Sequence, residues 1–317
     1  MKNIYSNIFK VNNNNLSKAI NLLKEKELVG VPTETVYGLA ANAYSSKSVK
    51  KIYFLKKRPF KNPLIIHYYS LEQLKKDVEL NTNFFKLYKK FSPGPITFVL
   101  KKKKNSILSN MATAKLKTVA VRFPKNKTLR KILKSLNFPL AIPSANKSTR
   151  ISPVSAKDVA QEFKNSIKII LNGGFCKIGL ESTVVDLTSV PRILRPGFVG
   201  PKSISKVLNK KILISRSSKT IKAPGMLKKH YSPGIPIKLN QKRAKDNDAF
   251  IVFGKKYKKG KDIFNLSYKS DLNEAAKNLY KTLRLIKSKK YKMIHVCAIP
   301  KTGIGLAIND RLNRAAK

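Results

Sequence analysis

A chain of 317 residues, 42% of them apolar, is long enough for two domains with hydrophobic cores of their own. No stretch approaches about 18 uncharged apolar residues and the first residues lack a hydrophobic signal region, so the sequence excludes a membrane-spanning or secreted class and predicts a soluble, cytoplasmic protein. Cys176 and Cys297 lie far apart and in no metal-ligand spacing, which predicts two buried small side chains rather than a zinc site or a disulfide framework.

The net charge of +51 comes from 67 Lys and Arg residues against 16 Asp and Glu residues. A protein this basic attracts RNA and other polyphosphates, with a strong dependence on salt. The lysines are spread over the whole chain, with runs such as Lys101 to Lys104, and asparagine is enriched beside them. We interpret the charge mainly as a compositional bias; the alternative is a surface that contacts tRNA or double-stranded RNA.

Polar side chains follow the first predicted strand. Apolar residues at helical spacing predict a helix over residues 16 to 26, and a continuous apolar run predicts a buried strand over residues 28 to 31. Pro32 ends this strand because proline cannot donate to a sheet. Open α/β sheets usually bind ligands at such strand ends, and the residues placed there are Thr33, Glu34 and Thr35.

A helix is predicted next, with Ser46 as its N-cap and Gly38 before it, allowing a turn or a close backbone approach. Pro59 excludes helical geometry at the residue before it, so the helix ends near Lys56.

Cations and an amide lie between this helix and the next strand, which ends at His67. The three residues are Lys56, Arg58 and Asn62. Together with the hydroxyls of the preceding strand end, they suit an anionic ligand with hydrogen-bonding groups, such as a nucleotide. The alternative is that these cations are solvated like many others of the chain.

Arg122 is another cation predicted to lie next to the end of a strand. Two helices, over residues 71 to 78 and 84 to 91, precede predicted strands over residues 97 to 100 and 118 to 122. Arg122 ends the second strand, where an arginine can grip a carboxylate through two hydrogen bonds. An ordinary edge residue is the alternative.

Small hydroxyls and an amide crowd a further loop. It follows a predicted helix over residues 129 to 136 and a strand over residues 140 to 142, and it precedes a helix over residues 156 to 163. A loop without bulky side chains can approach phosphate or ribose closely, although a turn-rich surface loop looks similar. Its polar residues are Ser144, Asn146, Ser148 and Ser152.

The predicted fold is α/β, a twisted open sheet flanked by helices, followed by a smaller, Rossmann-like α/β domain. Strands over residues 250 to 253 and 293 to 297 and a helix over residues 272 to 286 form the smaller domain. We predict a catalytic domain over residues 1–205, a linker over 206–236 and a C-terminal domain over 237–317.

Seven segments, in order along the chain, resemble the YrdC-like family, the L-threonylcarbamoyladenylate synthases. The match covers roughly residues 14 to 200, and KAPGMLKKHYSP, residues 222 to 233, resembles the linker of the long, two-domain members. The seven segments are PTETVYGLAANA, KKRPFKNPLIIH, SPGPIT, VAVRFP, PSANKS, GGFCKIGLESTVVD and ILRPG.

The resemblance implies an enzyme, a nucleotidyltransferase that combines L-threonine, bicarbonate and ATP into threonylcarbamoyl-AMP and pyrophosphate. The product serves threonylcarbamoyladenosine modification of tRNA beside the anticodon, so a tRNA-modifying transferase complex is the expected downstream partner. The nucleophile belongs to the substrate, which fits a sequence with three histidines and no P-loop or Rossmann glycine fingerprint. Mg²⁺ is expected with ATP, held largely by phosphate and water, because no acidic cluster marks a protein-built metal site.

The resemblance also implies roles for individual residues. The catalytic set is Lys56, Arg58, Ser144 and Asn146. ATP is expected to contact Arg58, Asn62, Thr118, Ser144, Ser152 and Arg195. L-threonine is expected to contact Thr35, His67, Arg122, Ile142 and Ser182, although His67 also fits a purely structural role at its strand end.

The linker contains two prolines and a glycine and cannot be one continuous helix. The resemblance implies that it folds over the site and that His230 and Tyr231 act as a lid; a passive tether is the alternative. For the whole chain, the alternative function is a non-catalytic protein of the same fold that binds double-stranded RNA or tRNA.

Overall fold

The first two thirds of the chain form a domain built around a large mixed sheet. A computed structural model describes residues 3–215, 230–245, 247–257 and 260–317. Within them, the sheet has 11 strands in the order β1-β8-β2-β3-β7-β4-β6-β5-β9-β10-β11. Its strands are β1 (Ile8–Lys10), β2 (Val29–Val31), β3 (Gly38–Asn42), β4 (Ile65–His67), β5 (Ile96–Lys101), β6 (Thr118–Arg122), β7 (Leu140–Ala141), β8 (Ile169–Asn172), β9 (Thr183–Asp186), β10 (Arg192–Arg195) and β11 (Leu213–Ile214).

Helices flank this sheet, as predicted for a twisted α/β fold. They are α1 (Asn13–Lys24), α2 (Ser46–Lys56), α3 (Leu71–Lys75), α4 (Thr82–Phe91), α5 (Lys127–Lys134), α6 (Ala156–Phe163) and α7 (Pro201–Leu208). Two predicted details were wrong. The N-cap of α2 is Ser45, whose side chain accepts a hydrogen bond from the Ser48 backbone, and Ser46 is the first helical residue. Helix α3 also ends earlier than predicted, at Lys75.

The sequence analysis did not predict strand β3. It predicted a turn or a close backbone approach at Gly38, which is the first residue of this strand. Strand β3 pairs antiparallel with β2, so residues 32–37 connect two neighbouring strands. A Cβ on Gly38 would collide with the Ile142 side chain, which shows that the glycine serves the close approach of a neighbouring segment. This connection holds the residues at the end of β2 in one compact loop.

The C-terminal domain has a smaller sheet of parallel strands, in the order β12-β15-β13-β14 within the described residues. Its elements are β12 (Ile237–Lys238), β13 (Ala249–Val252), β14 (Ile263–Asn265), α8 (Leu272–Ser288), β15 (Ile294–Val296) and α9 (Gly305–Ala315). Asp271 caps α8 by accepting hydrogen bonds from the Asn273 and Glu274 backbones. The parallel pairing of all four strands and the helix α8 between β14 and β15 agree with the α/β prediction.

Some of the residues predicted as a linker, 206–236, belong to a helix and a strand of the catalytic domain. Helix α7 spans residue 205, and β11 pairs in parallel with β10 at the edge of the large sheet. Most of the segment 222 to 233 lies outside the described residues, which resume at His230. Both cysteines are buried and free, as predicted. No helix of the described segments has the length and apolar character needed to span a bilayer.

Helix α8 packs directly against the catalytic domain. Arg284 donates a hydrogen bond of 2.7 Å to the Ile151 carbonyl and lies 3.6 Å from a carboxylate oxygen of Glu162. Gly179 has a φ of +80°, and a Cβ there would lie 2.7 Å from the Lys277 Cα of α8. The two backbones therefore touch at a point where only glycine fits.

We expect Gly179→Ala to destabilise this interface. Gly174→Ala is the matched control, because Gly174 has a φ of +75° but no atom near its missing Cβ. Both variants carry the strain of a positive φ, and only the first adds a backbone clash, so its free energy of unfolding should fall by about 2 kcal/mol more. Urea denaturation measures both values, and equal losses would contradict the proposed contact.

Candidate active site

A cavity of about 50 Å³ lies where loops from several strand ends converge. It is lined by the connection between β2 and β3, the loop after α2, strand β4, the ends of β6 and β10, and the loop after β7. The lining residues are Thr33, Thr35, Val36, Tyr37, Gly38, Arg58, Ile65, His67, Arg122, Ile142, Pro143, Ser144, Glu181, Arg195, His230 and Tyr231.

One side of the cavity presents a buried arginine with a free edge. His67 and Arg122 are direct neighbours on the parallel strands β4 and β6. The Arg122 Nη2 donates to Glu34 Oε1 at 2.6 Å, whereas its Nε is buried without a partner among the described residues. A guanidinium held on one edge in this way can receive a ligand carboxylate on another.

Glu34 fixes that arginine and is itself held by backbone amides. Its second carboxylate oxygen accepts hydrogen bonds from the amides of Lys125 and Asn126, at 3.1 and 3.2 Å. Burial alone would raise the pKa of Glu34, but the Arg122 charge and these hydrogen bonds outweigh burial and lower the pKa. The carboxylate is therefore ionised and holds Arg122 in place.

His67 is a neutral imidazole beside Arg122. Burial lowers the pKa of His67 well below its usual value, and the nearby Arg122 charge lowers this pKa further. Its Nδ1 lies 3.3 Å from the Ile65 carbonyl oxygen. A neutral ring can contact an apolar or hydrogen-bonding ligand group without adding charge.

Two further arginines, Arg58 and Arg195, line the same cavity. Arg58 donates to the carbonyls of Asn62 and Pro63, at 3.0 and 2.7 Å. Arg195 donates to the carbonyl and the hydroxyl of Ser182, at 3.1 and 3.2 Å. Burial lowers the pKa of Arg58 to about 10. These hydrogen-bond partners are neutral, so Arg58 retains its attraction for an anion, while Arg195 also interacts with the charge of the nearby Glu181.

Lys56 lies behind this pair rather than in the cavity wall. Its ammonium group donates to the Ser144 carbonyl at 2.6 Å and also to the Asn146 carbonyl. Burial, and then repulsion from Arg58, lower the pKa of Lys56 well below its usual value. The lysine therefore ties the end of α2 to the loop after β7.

The loop after β7 has fixed amide and hydroxyl groups. The Asn146 side chain donates to the carbonyls of Lys147 and Arg150, at 2.8 and 2.9 Å, and its carbonyl oxygen is buried without a partner among the described residues. Ser152 donates to a carboxylate oxygen of Glu181. The side-chain amide of Asn62 is likewise buried and without a partner in the described segments. Unpaired buried polar atoms of this kind suit a polar ligand.

Glu181 is a buried carboxylate at the cavity wall that was not assigned to the site by the sequence. It accepts hydrogen bonds from Tyr280 at 2.9 Å and from Arg311 Nε at 2.9 Å, both from the C-terminal domain. Burial alone would raise the pKa of Glu181, but Arg311 and Arg195 lower it to about 2. The carboxylate therefore joins the two domains at the cavity.

His230 and Tyr231 form the remaining wall. Their ring centroids lie 4.1 Å apart, and Tyr231 has a φ of +66°, which is uncommon for a residue other than glycine. Burial lowers the pKa of His230 to about 3, and its Nδ1 has no partner among the described residues. A neutral imidazole and a phenol ring therefore cover the cavity.

The structure brings most of the predicted site residues together. Nine line the cavity: Thr35, Arg58, His67, Arg122, Ile142, Ser144, Arg195, His230 and Tyr231. Five lie directly behind them, bonded to lining residues or to each other: Lys56, Asn62, Asn146, Ser152 and Ser182. Thr118 is the exception, because it occupies the opposite end of β6 from Arg122 and does not line the cavity.

Sequence reasoning also missed residues that the cavity includes. Tyr37 follows the polar strand end, Ile65 lies on β4, and Glu181 precedes the predicted Ser182. Their adjacency to predicted residues was the available signal. Tyr280 and Arg311 had no such signal, since neither is adjacent in sequence to a predicted site residue.

Three buried arginines around one cavity at the strand ends of an α/β sheet define a site for anionic small molecules, as in nucleotide-using enzymes. The chain belongs to the Sua5, YciO and YrdC family. Residues 21–197 match that family's model, described as "Telomere recombination", and residues 199–317 match the model described as "Threonylcarbamoyl-AMP synthase, C-terminal domain".

Relatives named threonylcarbamoyl-AMP synthase match nearly the whole chain. The protein from Pyrococcus abyssi is 38% identical over 94% of this chain and 93% of its own length. The protein from Bacillus subtilis is 36% identical over 96% of this chain and 94% of its own length. A solved structure of P. abyssi Sua5 complexed with L-threonine superposes with a TM-score of 0.90, at 35% identity, over 98% of this chain and 97% of that one.

The buried Glu181 predicts a loss of stability in acid. Its folded pKa of about 2 lies below the usual 4.5, so its stabilising effect is complete above pH 4.5 and is lost as the pH falls toward 2. In Glu181→Gln this dependence should disappear. Urea denaturation at pH 6 and pH 3.5 should therefore show a pH effect smaller than in the wild type by about 1 kcal/mol.

Glu79→Gln, at an exposed carboxylate, is the matched control and should retain the pH dependence of the wild type. At pH 6 the Glu181→Gln variant should also be less stable than the wild type, by about 3 kcal/mol, because Arg311 loses one of its two carboxylate partners. An unchanged pH dependence in Glu181→Gln would contradict the lowered pKa.

Proposed function

We propose that this protein is a threonylcarbamoyl-AMP synthase, a nucleotidyltransferase that makes threonylcarbamoyl-AMP and pyrophosphate from L-threonine, bicarbonate and ATP. The observation that carries the proposal is that three buried arginines, Arg58, Arg122 and Arg195, line one cavity. Arg122 has a buried Nε without a partner among the described residues, which suits an amino-acid carboxylate. Arg58 and Arg195 are proposed to take the polyphosphate.

Threonine is proposed to bind at the ends of β4 and β6. The carboxylate pairs with Arg122, which Glu34 keeps oriented at 2.6 Å. Thr35 and the neutral His67 offer hydrogen-bonding groups nearby, and Ile142 offers an apolar surface for the methyl group. The P. abyssi relative was solved with L-threonine, which supports threonine as a ligand of this fold.

The proposed reaction needs no nucleophile from the protein. The threonine amine and bicarbonate give N-carboxythreonine and water. A carbamate oxygen then attacks the α-phosphorus of ATP, a new P–O bond forms, and the bond to the bridging oxygen breaks, with its electrons leaving on pyrophosphate. The protein aligns the two anions and stabilises the negative charge that develops on the leaving group.

Arg58 and Arg195 are proposed to take the triphosphate. Their contacts with carbonyls and with Ser182 fix their positions in advance, so little reorganisation is needed when pyrophosphate leaves. Lys56 acts by holding the Ser144 and Asn146 backbone and by adding positive charge behind it. Asn62, Asn146 and Ser152 complete the nucleotide side.

Mg²⁺ is proposed to enter with ATP. Over the described residues, no group of three or more His, Cys, Asp or Glu side chains is placed to hold a metal ion. Phosphate oxygens and water, which Mg²⁺ prefers, would then supply most of its ligands. The product is proposed to pass to a tRNA-modifying transferase complex, with transfer to tRNA following there.

His230 and Tyr231 are proposed to act as a lid that excludes water. The mixed anhydride of a carbamate and a phosphate hydrolyses easily, so a dry site protects it. Both rings are buried and belong to the cavity wall, which supports the assignment.

Pyrophosphate release tests the reaction. In the wild type, release from ATP should require both L-threonine and bicarbonate. Arg58→Ala should reduce the rate by about 100-fold or more, because a charge that stabilises the leaving group is lost. Arg192→Ala is the control, since Arg192 is an exposed arginine on β10, and it should retain the wild-type rate. No threonine-dependent release from folded wild-type protein would reject the proposed function.

Chelation tests the role of the metal ion. EDTA should stop pyrophosphate release, and added Mg²⁺ should restore it with a dependence on the ratio of metal to ATP. Calorimetry with Mg²⁺ and the protein alone should show no tight binding, because the proposed ligands belong to the nucleotide. Full activity after chelation would contradict this part of the proposal.

A further inference from the structure

The C-terminal domain reaches into the active site at Tyr231. The Tyr280 ring of α8 stacks on the Tyr231 ring at a centroid distance of 5.8 Å and an interplanar angle of 27°. The Arg311 guanidinium of α9 lies over the same ring, 5.2 Å from its centroid. One ring of the cavity wall is therefore contacted by two side chains of another domain.

These two side chains are hydrogen-bonded to a residue that lines the cavity. Tyr280 and Arg311 both bind the carboxylate of Glu181, at 2.9 Å each. Arg311 also donates to the Pro196 carbonyl at 2.9 Å and to Asp310 at 2.7 Å. The position of Tyr231 is thus linked, through two helices, to a residue that lines the cavity.

The cluster formed by Glu181, Tyr280 and Arg311 is buried but polar, which is unusual for a domain interface. Arg311 is 1% exposed and Tyr280 is fully buried. Apolar residues of similar size would fill a domain interface without the desolvation cost of a buried ion pair. A charged and hydrogen-bonded cluster instead fixes geometry, and a guanidinium over an aromatic face adds a directional attraction.

The backbone around Tyr231 is anchored from both domains. The His230 amide donates to the Arg314 carbonyl of α9 at 3.2 Å, and the Ser232 amide donates to the Thr149 carbonyl at 2.8 Å. The positive φ of Tyr231 turns the chain between these two anchors. Backbone strain of this kind persists only where the surroundings hold it.

We propose that Tyr280 and Arg311 are positioning residues that hold Tyr231 against the site, so that the C-terminal domain completes the reaction chamber. This inference rests on the proposed function and assigns a task to the second domain. Without the two contacts, Tyr231 leaves the wall more often, water enters, and threonylcarbamoyl-AMP hydrolyses before release.

The test compares Tyr280→Leu with Tyr280→Phe. Both variants lose the hydrogen bond to Glu181, and only leucine also loses the stacked ring, so their difference isolates the contact with Tyr231. Tyr291→Leu is the control, because Tyr291 belongs to the same domain but packs on Phe264 and does not line the cavity. The readout is the amount of threonylcarbamoyl-AMP recovered per pyrophosphate released, measured by chromatography on the full-length protein.

We expect this ratio to fall about fivefold or more in Tyr280→Leu and to stay near the wild-type value in Tyr280→Phe and Tyr291→Leu. Equal ratios in the two Tyr280 variants would overturn the proposal. Arg311→Lys serves as the second variant if Tyr280→Leu does not fold. Lysine keeps a charge for Glu181 but lacks the flat guanidinium, and an unchanged ratio there would also count against the proposal.

A fluorescence measurement separates this proposal from the proposed function. The chain has no tryptophan, so Tyr231→Trp introduces a single reporter. We expect buried emission with little quenching by acrylamide, and a red shift with stronger quenching when Tyr280→Leu is added. An unchanged spectrum would overturn the positioning role even if the enzyme is active, whereas an inactive wild type with the expected shift would reject only the reaction.

Discussion

The buried carboxylate of Glu181 is the interaction on which the two domains and the cavity both depend. Arg311, Tyr280 and Ser152 all bind it, and Arg195 lies near enough to lower its pKa. Removing an ionised carboxylate from water is costly unless opposite charge and hydrogen bonds replace the water. The catalytic domain therefore relies on the second domain to neutralise its own cavity wall.

A second constraint follows from the cations. Lys56, Arg58 and Arg195 are buried, and they donate hydrogen bonds to backbone carbonyls and a serine hydroxyl. Such contacts satisfy the donors but leave the positive charge. Burial, and after it repulsion between these cations, lowers the pKa of Lys56 and of Arg58. An anionic substrate relieves this repulsion, so part of the cost of assembling the site is recovered on binding.

Much of the fold and the site followed from the sequence, because strand ends marked by proline and polar residues are local signals. Strand β3 could not be predicted in this way, because GLAAN lacks the β-branched and aromatic residues that favour strands. Its pairing with β2 and β7 decides its conformation. The Glu181 contacts with Tyr280 and Arg311 span 99 and 130 residues, a separation at which no local pattern reports a partner. Ser45 replaced Ser46 as the cap because neighbouring serines carry the same signal.

The burial of Lys56 separates this lysine chemically from the many others. Lys56 is 1% exposed, and its amine is enclosed by two carbonyls, whereas the majority of the chain's lysines lie at the surface. An amine-directed acylating reagent would therefore reach the exterior first. Increasing doses of such a reagent would remove the charges of surface lysines and leave the charge of Lys56 in place. The contribution of the surface lysines to substrate binding could then be measured separately from that of the buried cations.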